Sequence, residues 1–84
     1  MMSFADFCAM MPVQAVGANG VVDMLGEAVS HERIQRWFKQ QVQPTDVIYY
    51  YFSEPAEWER MMGSEGYLLV RDGEIIDSFT QRMN

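Results

Sequence analysis

The residues of this chain that could do chemistry are few, and none stands in a catalytic spacing. His31 is its one histidine and Cys8 its one cysteine, and neither has a nucleophile or a general base at a motif distance. Cys8 lies in an apolar stripe, where a free thiol behaves as a small hydrophobe. His31 is more typical of a surface residue in the first turn of a helix. We therefore expect a protein that is not an enzyme and needs no cofactor.

Acidic residues gather around a single tryptophan in the second half of the chain. Glu54, Glu57, Glu59 and Glu65 flank Trp58. Glu57 and Glu59 are two residues apart on a predicted helix and face different ways, so they do not make a metal site. The oxygen-ligand alternation of a calcium loop is absent as well. The acids form either a solvated face, which is the more typical use, or a docking surface for a basic partner.

Residues 47–52, Val-Ile-Tyr-Tyr-Tyr-Phe, predict a strand with apolar or aromatic side chains on both faces. One face should lie on the core, and the other must be covered by the rest of the fold or by a partner. Tyr and Trp are common anchors in interfaces, although in a small domain they are more often core residues. On the interface hypothesis, Tyr50→Ala should weaken partner binding while the fold survives.

A second hypothesis rests on a basic stripe in the first half of the chain. The apolar pattern predicts helices over 20–29 and 31–42 that meet at Ser30, a favourable N-cap residue. The stretch resembles the helix-turn-helix segments of phage regulators over about 20 residues, which implies a DNA-reading second helix. It departs from them in having Gly26 out of place before Ser30. On this alternative the DNA-binding residues would be His31, Arg33, Arg36 and Lys39.

Composition limits the remaining possibilities. The 84 residues, 49% of them hydrophobic, suit a single domain spanning residues 1–84. Twelve acidic and six basic residues give a net charge of −6, which opposes the phosphate attraction that supplies most nonspecific DNA affinity. One cysteine excludes a disulfide framework within the chain. The sequence has no apolar run of roughly 18 residues and no basic start of a secretory signal, so we expect a cytoplasmic protein that does not bind membranes.

The remaining elements follow from local signals. Ser3 can cap a short helix, on which Phe4, Phe7, Cys8 and Met11 share one face. Pro55 suits the first turn of a helix over about 55–62. Asp72-Gly73 predicts a two-residue type I′ turn within a hairpin over 67–79. That turn would place Arg71 opposite Glu74, Val70 opposite Ile75 and Leu69 opposite Ile76. The methionines Met10, Met11, Met61 and Met62 would fill gaps in the core or, less typically, line an adaptable contact surface.

Together these patterns predict an α+β fold, with N-terminal helices packed on a small three-stranded antiparallel sheet that ends in a C-terminal β-hairpin. The preferred function is a small acidic, non-catalytic protein-binding module. An inhibitor of a basic or nucleic-acid-binding protein, of the kind phages encode, is one example by analogy. The partner would be a basic protein or a second copy of the chain, while nucleic acid is disfavoured. Its predicted binding residues are Tyr49, Tyr50, Tyr51, Glu54, Glu57, Trp58 and Glu59.

Overall fold

The computed structural model describes residues 2–83 and consists mainly of β-strands. The strands are Val13–Ala15 (β1), Val21–Val22 (β2), Ala28–Val29 (β3), Val47–Phe52 (β4), Ser64–Arg71 (β5) and Glu74–Met83 (β6). The described residues also form three short helices: Phe4–Cys8 (α1) precedes β1, His31–Trp37 (α2) follows β3, and Pro55–Glu59 (α3) connects β4 to β5.

The main sheet has four antiparallel strands in the order β1-β4-β5-β6, and β2 pairs with β3 in a separate two-stranded sheet. This corrects the predicted architecture of N-terminal helices on a three-stranded sheet. The fourth strand is β1, whose Val13 lies opposite Tyr51 of β4. Helices are minor elements of five to seven residues each.

The helix predicted over 20–29 is wrong, because this segment forms the β2–β3 hairpin. Gly20 and Gly26 both have positive φ, which ends a helix. The Asp23 carboxylate accepts from the backbone N–H groups of Leu25 and Glu27, both at 2.9 Å. Asp at the start of a turn and Gly three residues later are typical of a type I turn. These hydrogen bonds to the Asp23 side chain take the place of the backbone hydrogen bonds that a helix would form.

Several local predictions are confirmed. The β4 strand has the predicted bounds, and the Ser3 and Ser30 side chains cap α1 and α2 by accepting from Asp6 and Arg33 N–H groups. The helix predicted over 31–42 ends at Trp37, since Phe38 is extended. The next two backbone N–H groups, of Lys39 and Gln40, donate to the Asp77 carboxylate instead. The helix predicted over 55–62 ends at Glu59, and Cys8 is exposed rather than packed in an apolar stripe.

Both faces of the main sheet are covered by the chain itself. On one face, Ile48 and Tyr50 of β4 pack with Val29 and Ile34 from the β2–β3 hairpin and α2. On the opposite face, Phe4 and Phe7 of α1 and their neighbours cover a second cluster around Tyr51, Leu68 and Val70. The aromatic strand is therefore the centre of two small cores and needs no partner to shield it.

The β5–β6 hairpin has the predicted turn but not the whole predicted register. Asp72 and Gly73 both have positive φ, at 52° and 78°, as a type I′ turn requires. Arg71 lies opposite Glu74 and Val70 opposite Ile75, as predicted. Leu69 lies opposite Asp77 instead of Ile76, because β6 carries an extra residue at this point. A second irregularity follows between Glu65 and Gly66.

An ion pair joins this hairpin to the loop before β4. The Asp46 carboxylate accepts from Arg71 Nε at 2.7 Å and from Arg71 Nη2 at 2.8 Å. It also accepts from the backbone N–H of Gln43 at 2.8 Å. The hydrogen bonds from Arg71, above all, lower the pKa of Asp46 from 3.8 to about 2.

This lowered pKa predicts a loss of stability in acid. Above pH ~4 Asp46 is ionised in both the folded and the unfolded chain, so the pair contributes fully. As pH falls from ~4 towards ~2, the unfolded chain takes up this proton first and the contribution of the pair disappears. We expect the difference in urea midpoint between wild type and Asp46→Asn to shrink across this window. A constant difference from pH 5 to pH 2 would contradict the assignment.

Candidate functional site

A buried polar cluster lies on the α2 side of the main sheet, near the end of β6. Its centre is Glu65, whose residue surface is fully buried. One Glu65 oxygen accepts from Arg82 Nε at 2.7 Å. The other accepts from the Tyr50 hydroxyl and from the backbone N–H of Met24 at 3.1 Å. The carboxylate thus ties β4, β6 and the β2–β3 hairpin to β5.

The second carboxylate of the cluster belongs to Asp23, which is also buried. It accepts from Gln81 Nε2 at 3.3 Å and from Arg82 Nη2 at 3.2 Å. Two consecutive residues of a regular strand point to opposite faces. The irregularity between Glu65 and Gly66 leaves Gln81 without a paired residue on β5, and such a bulge can turn a side chain to a new direction. Gln81 and Arg82 therefore reach the same carboxylate.

The cluster keeps its phenols protonated and its arginine charged. Burial first, and then the hydrogen bond to Glu65, raise the pKa of Tyr50 well above its usual range. Burial and the neighbouring Glu65 charge raise the pKa of Tyr67 to about 12. The hydrogen bond to Glu65 raises the pKa of Arg82. Since every group has a complementary partner, the cluster is suited to holding structure rather than to exchanging protons.

The polar cluster positions the tip of the β2–β3 hairpin beside α3. Because the backbone around Met24 and Leu25 is held by Glu65 and Asp23, these two apolar side chains are directed outward, and Leu25 is 67% exposed. Between the tip and α3 lies a groove of about 350 Å³, the hairpin groove. Its lining is mainly apolar and consists of Met24, Leu25, Pro55, Trp58, Glu59 and Arg82.

α3 is short, and both of its ends follow from local chemistry. Pro55 occupies the first helical position after Glu54. Beyond the helix, Met61 N–H donates to Trp58 C=O at 3.1 Å and Met62 N–H donates to Glu57 C=O at 2.9 Å. This is the bonding of a Schellman motif, which places Met61 at the position where glycine is usual. Its φ is indeed 61°.

Trp58 fixes α3 at the end of β4. Its indole Nε1 donates to Ser53 C=O at 3.1 Å. The ring lies directly against Gly63, where an added Cβ would be only 2.3 Å from the nearest ring atom. Only glycine fits below this ring. Trp58 thus forms a wall of the hairpin groove from a position determined by β4 and the start of β5.

A second groove lies on the other side of α3, towards the N-terminal segment. This N-terminal groove has a volume of about 480 Å³. Glu54 and Glu57 line it with the exposed methionines Met10 and Met62, whereas Glu59 lines the hairpin groove. The prediction that Glu57 and Glu59 face different ways is confirmed. We call α3 with Met61, Met62 and the two grooves the α3 surface.

The structure separates the predicted partner-binding residues into two groups. Glu54, Glu57, Trp58 and Glu59 all belong to the α3 surface. The three tyrosines do not join them. Tyr50 and Tyr51 are buried on opposite faces of the sheet, and Tyr49 is half-buried against the Phe4 ring at a centroid distance of 4.2 Å.

Sequence reasoning missed the apolar part of the α3 surface. Leu25 lies in the segment 20–29, where the predicted helix does not form. Met10, Met61 and Met62 were interpreted mainly as core fillers, yet all three are exposed. Their positions agree with the less typical use of methionine, as an adaptable contact surface. Glu65, grouped with the solvated acids, is buried in the polar cluster.

The residues of the DNA-binding alternative lie on and just after α2. Arg33, Arg36 and Lys39 are exposed and His31 is half-buried, and the Arg33 guanidinium lies over the Trp37 ring at 5.4 Å. A hairpin precedes α2 where the first helix of a helix-turn-helix would stand. The predicted two-helix arrangement is therefore not formed, and DNA binding by this stripe stays a prediction.

Within residues 2–83, no three His, Cys, Asp or Glu side chains are grouped so that they could hold a metal ion. None of the helices in this range is both long enough and apolar enough to cross a membrane. Comparison with protein-family models gave no match, and neither curated proteins nor solved structures gave a similar chain.

Proposed function

We propose that this chain is a non-catalytic protein-binding module whose α3 surface docks a partner with a basic face. The observation that carries the proposal is the exposure of apolar side chains on and beside α3. Met61 and Met62 are 75% and 68% exposed, and Leu25, which lines the apolar hairpin groove on the other side of α3 from Met62, is 67% exposed. Exposed apolar groups that are contiguous and bordered by polar residues are typical of interaction sites.

The charge of the surface selects the partner. Among the described residues, ion pairs within 4.0 Å join Arg71 to Asp46, and Arg82 to Asp23 and Glu65. The Glu54, Glu57 and Glu59 carboxylates form none within residues 2–83. These three carboxylates contribute to the net charge of −6, and the negative field of such a surface steers basic surfaces into contact. Inhibition of a basic or nucleic-acid-binding protein is a role that suits this chemistry.

Charge reversal on α3 tests the docking surface. We expect Glu57→Lys with Glu59→Lys to weaken binding of a captured basic protein by roughly tenfold or more, because like charges then face each other across the interface. The measurement is affinity capture from lysate of the source cells, followed by titration of the captured protein. The unfolding midpoint should stay close to that of wild type, since both carboxylates lack ion pairs within the described residues.

The matched control places the same charge change elsewhere. Glu32 on α2 and Glu74 on β6 are exposed, so Glu32→Lys with Glu74→Lys gives the same net charge away from α3. This variant should capture the partner nearly as well as wild type. Equal losses in the two double variants would show that only net charge matters, and no loss in either would remove α3 from the interface. A dimer by light scattering that is broken by the α3 variant would make a second copy the partner.

A further inference from the structure

Met61 is held in a backbone conformation that favours glycine. Its φ of 61° lies in the left-handed region, which is unfavourable for a residue with a Cβ. Its side chain is 75% exposed, so packing within the fold does little to offset this unfavourable backbone conformation. Strain of this kind is often kept at functional positions. Met61 is therefore suited to contacting something outside the chain.

The strands connected by α3 decide which shape of partner fits. β4 is paired with β1 and β5, and β5 is paired with β4 and β6. Neither strand offers an open edge beneath α3, so an extended peptide cannot add to the sheet there. Binding must use side chains that enter the two grooves. A helix with an apolar stripe presents such side chains from a rigid backbone.

The lining of the grooves decides the chemistry of that helix. Met62 and Met10 on one side and Met24 on the other are flexible and polarisable, so they adapt to apolar side chains of different shapes. Carboxylates border both grooves, with Glu57 on one side of α3 and Glu59 on the other. Lys or Arg residues flanking an apolar stripe would lie close to them.

We infer that the α3 surface binds a basic amphipathic helix of a partner protein, with Met61, exposed just after the C-terminal end of α3, as an anchor. This inference rests on the proposed function and names the partner class of the same surface. It assigns the hydrophobic contact to the grooves and Met61, and the orientation of the helix to the carboxylates on either side of α3.

Two synthetic peptides of identical composition test the inference. One is a 14-residue Lys/Leu peptide with Leu at helical spacing, and the other has the same residues with Leu at alternate positions. We expect the helical peptide to bind at least tenfold more tightly by calorimetry and to gain helicity by circular dichroism. Amide shifts should map to α3, the hairpin tip and residues 10–12. Equal affinities, or shifts on another face, would overturn the inference.

Substitution of Met61 tests the anchor. Met61→Gly should raise the melting temperature by roughly 4 °C, because it relieves the backbone conformation, yet weaken helical-peptide binding at least fivefold. Val47→Ala, an exposed apolar change at the far end of β4, should leave peptide affinity unchanged. If Met61→Gly binds the helical peptide with the affinity of wild type, the anchoring role of Met61 is overturned. If the two peptides bind equally while capture of the basic protein still depends on Glu57 and Glu59, only the inferred partner class is wrong. If neither peptide binding nor capture of the basic protein depends on α3, both proposals fail.

Discussion

The Tyr50→Ala variant is expected to lose about 4 kcal/mol of unfolding free energy, which is the usual cost of deleting a large buried aromatic side chain. Tyr50 is 3% exposed. Its ring lies 5.3 Å from that of Phe52 and 5.5 Å from that of Tyr67, so truncation opens a cavity and removes two aromatic contacts. The whole free energy of unfolding of a domain of this size is roughly 4–13 kcal/mol. Urea unfolding followed by circular dichroism measures the loss.

Tyr50→Phe separates the ring from its hydroxyl. It keeps the packing and removes only the hydrogen bond to Glu65, which should cost about 1–2 kcal/mol. An unfolding midpoint for Tyr50→Ala close to that of wild type would show that the side chain does not fill the core. The sequence-based expectation was the reverse, namely that this variant would keep its fold and lose partner binding.

The Glu65→Gln variant is expected to lose about 3 kcal/mol of unfolding free energy, because removing the charge of this buried carboxylate leaves its hydrogen-bond partners and the half-buried Arg82 poorly satisfied. The amide has one acceptor oxygen where the carboxylate has two. It cannot serve the Tyr50 hydroxyl, the Met24 N–H and Arg82 Nε as the carboxylate does. Its NH₂ group would face a donor. Urea unfolding at pH 7 gives the loss directly.

Glu59→Gln is the matched control for this change. Its carboxylate is exposed and has no ion pair within residues 2–83, so the same substitution should change stability by less than about 0.5 kcal/mol. Equal effects at the two positions would contradict the burial of Glu65. Because Glu65 also binds the backbone at Met24, Glu65→Gln should loosen the hairpin groove as well as destabilise the core.

The parts of the fold that could be predicted are those specified within a few residues. Ser3 and Ser30 cap helices through the residue three positions on, and Asp72-Gly73 determines its own turn. The strand at 47–52 has no competing pattern, since β-branched and aromatic residues continue throughout it. Each of these signals is local, and each is confirmed.

The errors arose where two local signals compete or where pairing is distant. Between 20 and 29 an apolar helical period competes with Asp23 and Gly26, and the turn residues prevail. β1 is only three residues long and pairs with a strand more than thirty residues away, so no local pattern reveals it. The missing β1 accounts for the wrong strand number, and the mistaken helix for the wrong balance of helix and strand.

The candidate site divides in the same way. The opposed directions of Glu57 and Glu59 follow from helical geometry and could be predicted. The burial of Glu65 depends on Arg82 and on the Met24 N–H, which the fold brings together from 17 and 41 residues away in sequence. The hairpin groove exists only because β2 and β3 form a hairpin. The mistaken prediction of a helix over 20–29 is therefore why the sequence did not reveal this half of the α3 surface.

The chain's two tryptophans lie in settings so different that one of them can serve as a built-in optical label. Trp37 is stacked against Phe79 at 4.9 Å, with Arg33 over its ring. Trp58 lies against Gly63 and forms a wall of the hairpin groove. In a Trp37→Phe background, all indole emission would come from this wall. Occupation of the groove would then shift the fluorescence maximum, so ligands could be screened without attaching a dye.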